Sequence, residues 1–451
     1  MLQNMTYDEL ILRIIILLRD GKRKEFLHLL EELQPYDMAI LFKEMPEKHR
    51  GRYLSFLTVD DITDLMGELE KEEQFAVLNK VGKEKATHVM NKMDNDDLAA
   101  LLEEMEPKLK DQLLSSMEAE ESEAVRVLMN YPAETAGRIM TNRFVWIPQN
   151  YTVKEAVIKL KSFAEIAESI NYLYVINEAK QLVGVLSYRD LILAEPGEKV
   201  QDLMFTRVIS VDAMQDQEEV ARLIERYDFL AIPVVEKEHK LVGIVTVDDI
   251  IDIVIQEANE DYEKFAASGK AITFDTKSYV AAYRRLPWLI LLLFIGLISG
   301  SIMSYFEDTL QHVVALAFFM PMIAGMTGNT GTQSLAVVIR GLAKEELNKK
   351  TIFRLIFREL RAGIIIGIVC AVFITGIAIV WQGNFLLGFV VGTSLLATLI
   401  IGTMAGTIVP IILHKCNVDP AIASGPLITT LNDILSLLIY FGIATAFIHA
   451  L

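Results

Sequence analysis

The chain has 451 residues, with 43 Lys+Arg against 60 Asp+Glu for a formal charge of −17. That charge is one-sided: from Leu286 onward there are 8 basic and 7 acidic residues, which leaves 35 basic and 53 acidic ahead of it. Such an acidic half repels nucleic acid and anionic lipid and attracts cations, and the two cysteines, Cys370 and Cys416, make neither a disulfide framework nor a zinc site.

The N-terminal apolar run Ile11–Leu18 is interrupted by Arg13 and preceded by Asp8 and Glu9. It lacks the basic start of a signal peptide and reads as an amphipathic helix, so the N-terminal half is expected to stay in the cytoplasm. Short helical units with acidic starts follow through about residue 130, as at Asp60-Asp-Ile-Thr-Asp and Asp96-Asp-Leu-Ala-Ala. Most of these carboxylates serve as helix caps that suit the dipole. The expectation for 1–130 is a small all-α superhelix.

Residues 131–257 hold an internal duplication. Arg138-Ile-Met-Thr, Tyr172-Leu-Tyr-Val-Ile and Leu182-Val-Gly-Val-Leu-Ser-Tyr-Arg-Asp190 recur as Asp202-Leu-Met-Phe, Phe229-Leu-Ala-Ile-Pro-Val and Leu241-Val-Gly-Ile-Val-Thr-Val-Asp-Asp249. Each copy mixes short β-rich runs with amphipathic helices and ends in a Gly-x-x-Ser/Thr turn followed by Asp. This resembles a pair of CBS domains, an α/β unit that commonly senses adenosine nucleotides or ions. The resemblance implies that Ser187 with Asp190, and Thr246 with Asp249, face a ribose, with ATP as a regulatory ligand. A purely structural pair would carry the same pattern.

From the end of the duplication onward, Asp249, Asp252, Glu257, Glu260 and Asp261 crowd one helix that leads to the membrane half. Like charges so close repel, and a divalent cation would relieve them. A solvated acidic face is the plainer alternative; position favours the cation.

Five apolar stretches follow, at about 286–306, 312–342, 352–381, 385–413 and 420–448, each long enough to cross a bilayer. Lys344, Lys349, Lys350, Arg354, Arg358 and Arg361 flank the second connection and Lys415 lies in the fourth, whereas the first and third carry no Lys or Arg. The positive-inside rule then puts the N-terminus in the cytoplasm and the C-terminus outside. Gly296/Gly300, Gly363/Gly367, Gly388/Gly392 and Gly402/Gly406 mark expected close helix contacts. In the second stretch Pro321, Gly325, Gly328 and Gly331, interleaved with Asn329, Thr330, Thr332 and Gln333, predict a broken helix with exposed carbonyls. In the fifth, Gly425-Pro426 predicts a kink. Ser424, Thr429, Thr430 and Asn432 there surround Asp433, the only charge between Asp419 and His449.

A carboxylate at membrane depth costs on the order of 3 kcal/mol and marks an ion or proton path. With neighbours that offer oxygen and neither sulfur nor imidazole, the path suits a hard ion such as Mg²⁺. Thr429 lies one helical turn from Asp433, so both can face one lumen.

Taken together, the 321–334 stretch, the Asp419-Pro-Ala…Thr429-Thr-Leu-Asn-Asp433 stretch and the domain order resemble the MgtE family of Mg²⁺ channels and transporters over essentially the full length. The resemblance implies a multidomain membrane protein: an all-α superhelical N-domain (1–130), an α/β CBS pair (131–257), a connecting helix (258–285) and a five-span α-helical pore domain (286–451). It implies a multi-pass homodimer in the plasma (inner) membrane, with Asp433 holding a hydrated Mg²⁺ in a pore on the two-fold axis. Cytosolic Mg²⁺ sites then fall at Asp249, Asp252, Glu257, Glu260 and Asp261, at Glu218 and Asp228 in the CBS pair, and at Asp94, Asp96 and Asp97 in the N-domain. High cytosolic Mg²⁺ would bridge these carboxylates and close the pore. No ATPase phosphate loop is present, and no enzyme activity is expected. The alternatives are a Co²⁺ or Mn²⁺ carrier of the same architecture, or a membrane-anchored nucleotide-sensing scaffold; the latter needs neither Asp433 nor the polar second span.

Overall fold

The computed structural model describes residues 6–163, 167–265, 272, 276–344, 349–416, 418–419 and 425–448. Ser424, among the residues expected around Asp433, lies outside them, as does part of the expected connecting helix at 266–271 and 273–275. Contacts divide the chain into Met1–Val254 and Ile255–Leu451.

The first unit begins with short helices from α1 (Tyr7–Asp20) to α10 (Ala119–Met129). Their acidic starts do cap: Thr58 and Asp61 bond each other's backbone N–H at 3.1 and 2.7 Å, a reciprocal box at the head of α5 (Val59–Gly67). Apolar stripes on these helices bury Phe26, Tyr53, Leu41 and Ile62 completely, worth about 2 kcal/mol for each side chain withdrawn from water.

The duplication folds as two matching sheets. In one, β1 (Phe144–Pro148) runs parallel to β2 (Ser169–Ile176), which pairs antiparallel with β3 (Leu182–Ser187). In the other, β4 (Val211–Asp212), β5 (Ala231–Glu236) and β6 (Lys240–Thr246) repeat the pattern. Each copy also completes the other. Thr141 bridges Ile244, and Phe205 bridges Val185. The Met at the head of one copy fills the notch over the glycine of the other: a Cβ on Gly184 would meet Met204 Sδ at 2.5 Å, and one on Gly243 would meet Met140 Sδ at 2.5 Å. Phe144, Tyr174, Ala231 and Ile244 form a shared core between the sheets.

α16 (Val247–Phe265) starts directly after β6. Asp249, Asp252, Glu257, Glu260 and Asp261 therefore share one helix that begins inside the second repeat, and α17 (Ser278–Tyr305) starts within the stretch 258–285 expected as a connecting helix. Five long helices make up the second unit beyond it: α17, α19 (Leu316–Lys344), α20 (Lys349–Gln382), α21 (Phe385–Lys415) and α22 (Gly425–Ala446). The short α18 (Glu307–His312) lies between α17 and α19. Among the described residues, four helices (α17, α20, α21 and α22) are long and apolar enough to cross a membrane. α19 matches them in length at 29 residues, but its polar middle lowers its hydropathy.

Two expectations are corrected here. α19 is continuous through Pro321, Gly325, Gly328 and Gly331. In place of a break, Thr327, Thr330 and Thr332 donate to the carbonyls four residues back at 2.7, 2.8 and 3.0 Å. The glycines serve proximity instead: a Cβ on Gly331 would overlap Asn432 Nδ2 and sit 3.1 Å from the Gly402 carbonyl, and one on Gly406 would overlap the Gly331 carbonyl. Gly425-Pro426 is the head of α22 as described and makes no kink within it, since a missing N–H costs nothing in a first turn. The pairs Gly363/Gly367 and Gly388/Gly392 likewise seat α20 against α21, whereas Gly296 and Gly300 face open space.

Candidate functional site

The polar surfaces of α19 and α22 meet in the second unit. Asn329 and Gln333 are exposed on α19, with Thr332 half-buried beside them. Gly328 lets Thr429 approach, 3.4 Å from where its Cβ would be. Thr429 and Thr430 both donate to the Pro426 carbonyl, at 2.9 and 2.8 Å, so their hydroxyl lone pairs remain available as ligands. Asp433 is half-buried one turn further on. Its backbone carbonyl accepts from Ser436 at 2.9 Å, while its carboxylate has no hydrogen bond or ion pair among the described residues. Its neighbour Asn432 is fully buried and donates from Nδ2 to the Thr327 carbonyl at 3.3 Å, which pins α22 to α19 beside the carboxylate. Among the described residues, the hydroxyls of Thr429 and Thr430 and the carboxylate of Asp433 thus keep oxygen lone pairs that no protein donor occupies.

The first unit holds the second constellation. Carboxylate oxygens of Glu168, Asp248 and Asp249 lie within 4.8 Å of one another, close enough to share one ion. Asp96, only 8% exposed at the start of α8 (Asn95–Glu103), adds its charge to Asp249 and Glu168. Among the described residues, Asp96 Oδ1 and Glu168 Oε2 are buried with no hydrogen-bond partner. Burial, then mutual repulsion, raises Glu168 and Asp249 each to about 7, against the opposing hydrogen bonds of Thr141 and Thr246. The same causes lift Asp97, which still reaches solvent, to about 6, with Asp94 and Asp252 among its charged neighbours. Asp94 also has a cation beside it: Arg143 lies 3.6 Å from it and 2.8 Å from Glu121. Hard oxygens, buried lone pairs and uncompensated charge fit Mg²⁺, which Glu168, Asp248, Asp249 and Asp96 would hold. Glu168 gives no signal in the sequence because it stands alone between a helix and a strand, and Asp248 is one more acidic residue beside Asp249.

A pH dependence follows. Raised carboxyls favour the protonated, folded state, so their contribution is fully present below the unfolded pKa near 4 and is lost as pH rises through about 7. In chelator, thermal stability of the first unit should fall across that window. Saturating Mg²⁺ should flatten the fall, and so should Glu168→Gln; an unchanged slope in both would refute the cluster.

The other candidates are dispersed. Glu218 and Asp228 stand at opposite ends of α15 (Gln217–Tyr227), roughly 15 Å apart at the helical rise, and Glu218 pairs with Arg222 at 2.8 Å. Glu260 binds Lys264 Nζ at 2.5 Å, which also reaches Asp419 at 2.6 Å. Asp261, raised by burial and then by Asp419, lies beside them, and Glu257 is half-buried on the same helix. Ser187 donates to the Asp190 carboxylate at 2.6 Å and accepts from its backbone N–H at 3.0 Å, capping its own helix, while Thr246 donates to the Asp249 carboxylate. Between the sheets, a cleft lined by Tyr172, Tyr174, Phe205, Arg207 and Phe229 offers aromatic faces and a cation. Ser187, Asp190 and Thr246 are not among its lining residues.

A helical membrane unit whose Asp433 carboxylate has no partner among the described residues, joined to a unit that gathers carboxylates around a hard-cation geometry, defines an integral membrane protein that handles divalent cations. The family model described as divalent cation transporter matches residues 320–443, the MgtE intracellular N domain matches 33–134, and CBS domains match 136–197 and 200–256. Magnesium transporter MgtE of Bacillus subtilis (strain 168) is 82% identical over 451 residues, covering 100% of both chains. Magnesium transporter MgtE of Enterococcus faecalis is 43% identical over 434 residues, covering 96% of each. The crystal structure of the cytosolic domain of the Mg²⁺ channel MgtE in complex with ATP matches with a TM-score of 0.52 at 34% identity, covering 54% of this chain and 99% of that one. The chain belongs to the MgtE family.

Proposed function

We propose that this protein carries Mg²⁺ across the plasma membrane as a homodimer, with Asp433 as the pore carboxylate and the acidic soluble unit as its Mg²⁺ sensor. The observation that carries the reading is Asp433 itself, half-buried beside the oxygen-bearing face of α19 with no protein counter-ion among the described residues. Mg²⁺ dehydrates reluctantly, so a single carboxylate with hydroxyl and amide neighbours suits an ion that keeps most of its water. A divalent ion gains about 4.6 kcal/mol per 100 mV on entry, enough for a gradient on the order of a thousandfold, so the reading requires no catalytic step. The unburied α17, with Gly296 and Gly300 in open space, supports a second copy in the assembly.

Mg²⁺ on Glu168, Asp248, Asp249 and Asp96 would favour the compact, non-conducting state because it relieves their repulsion there. Asp94, Asp97 and Asp252 border this cluster, and Glu257, Glu260 and Asp261 extend the acidic helix beyond it. ATP is the proposed occupant of the aromatic cleft, where Tyr and Phe faces stack a base and Arg207 meets phosphate.

Flux into liposomes containing the purified protein tests the reading. Mg²⁺ entry should follow an imposed potential, exceed Co²⁺ and Mn²⁺ entry, and shut down as Mg²⁺ is raised on the cytoplasmic face. Potential-independent or absent flux would overturn it, and ATP that leaves the Mg²⁺ block unmoved would empty the cleft of its proposed role.

A further inference from the structure

The first turns of α20 have two unlike faces. Ile352, Leu355 and Ile356 pack with Val338, Leu342 and Ile411. Glu359 is buried on that side, accepting from Ser334 at 3.1 Å and from Arg358 at 2.9 and 3.1 Å. The other face is open and carries Lys350, Phe353, Arg354, Phe357, Arg358 and Arg361. These recur three or four residues apart and so form one stripe. Phe353 is 64% and Phe357 42% exposed, with their rings 4.5 Å apart. Among the described residues, only Arg358 of the four cations has an ion-pair partner.

The same stripe continues without a step into Ile365, Ile368 and Val372, all exposed and apolar. α20 is long and apolar enough to cross a membrane. The basic and aromatic residues therefore fall at the level where acyl chains give way to headgroups, and their charge is opposite to that of an anionic leaflet. A second copy of the stripe would bring like charges together, which disfavours self-association there.

We propose that this stripe is a binding site for the phosphate headgroups of anionic phospholipid, with Lys350, Arg354 and Arg361 as the free cations and Phe353 and Phe357 at the acyl boundary. Through Arg358 and Glu359 the bound lipid would steady Ser334 and hence α19. This anchor offsets the repulsion that the acidic soluble half would feel from the same leaflet.

The test is thermal stabilisation and lipid retention of the full-length protein, titrated with phosphatidylglycerol or phosphatidylcholine in mixed micelles. Phosphatidylglycerol should stabilise at low salt, and the effect should fade at high salt. The variant Lys350→Gln/Arg354→Gln/Arg361→Gln should bind phosphatidylglycerol roughly 100-fold more weakly. Equal stabilisation by the two lipids, an unaltered response in the variant, or the same stabilisation by inorganic phosphate alone would overturn the proposal. A variant that changes oligomeric state with lipid binding intact would assign the stripe to a second copy. If the triple variant fails to fold, Arg354→Gln alone should lower the count of co-purifying phosphatidylglycerol by native mass spectrometry, and an unchanged count would be equally fatal.

Discussion

Asp433→Ala should reach the membrane in normal amount and dimerise, yet fail to restore growth or Mg²⁺ uptake in an uptake-deficient cell. The loss should be on the order of 100-fold, because a divalent ion a few ångströms from a carboxylate at intermediate dielectric loses several kcal/mol of attraction, only part of it offset by desolvation. Asp433→Asn separates charge from shape. It preserves the side-chain volume beside Asn432 and should be nearly as inactive as alanine, whereas Asp433→Glu should retain partial uptake. Wild-type uptake by the asparagine variant would sink the pore assignment.

Joint replacement of Glu168→Gln, Asp248→Asn and Asp249→Asn should have the opposite character. Uptake persists, but closure by cytosolic Mg²⁺ shifts at least 10-fold toward higher concentration, within the usual range for a coupling between sites. Stability gives an independent sign. In chelator the triple variant should melt higher than wild type, since three crowded carboxylates are gone, and the increment that Mg²⁺ adds should shrink. A variant that is merely damaged would melt lower in both conditions. Unchanged Mg²⁺ sensitivity with normal melting would move the sensor elsewhere.

Charge placement made the division between acidic half and membrane half legible, and the repeated Gly-x-x-Ser/Thr turns made the CBS pair legible before any coordinates. Asp433 was legible because one charge in a long apolar segment has few explanations. The continuity of α19 was not. Glycine and proline lower helix propensity in isolation, but at this depth each unmade backbone hydrogen bond is expensive, and the glycines let α21 and α22 come close enough to hold the helix. Glu168 was invisible for a different reason: it meets Asp248 and Asp249 across about 80 residues of chain, and nothing in its own neighbourhood announces an ion. Glu359 has no sequence signal of its own among the basic residues around it, although its burial against Ser334 ties two helices together.

The exchanged methionines of the CBS pair have a consequence for how such a sensor can change over evolutionary time. Met140 closes the notch at Gly243 and Met204 closes the one at Gly184, so neither repeat is whole without the other. Excising one copy would leave a bare sheet margin and an empty notch in the survivor. The pair can be transplanted as a cassette, but it cannot be halved, and the two glycines and two methionines must drift together or not at all.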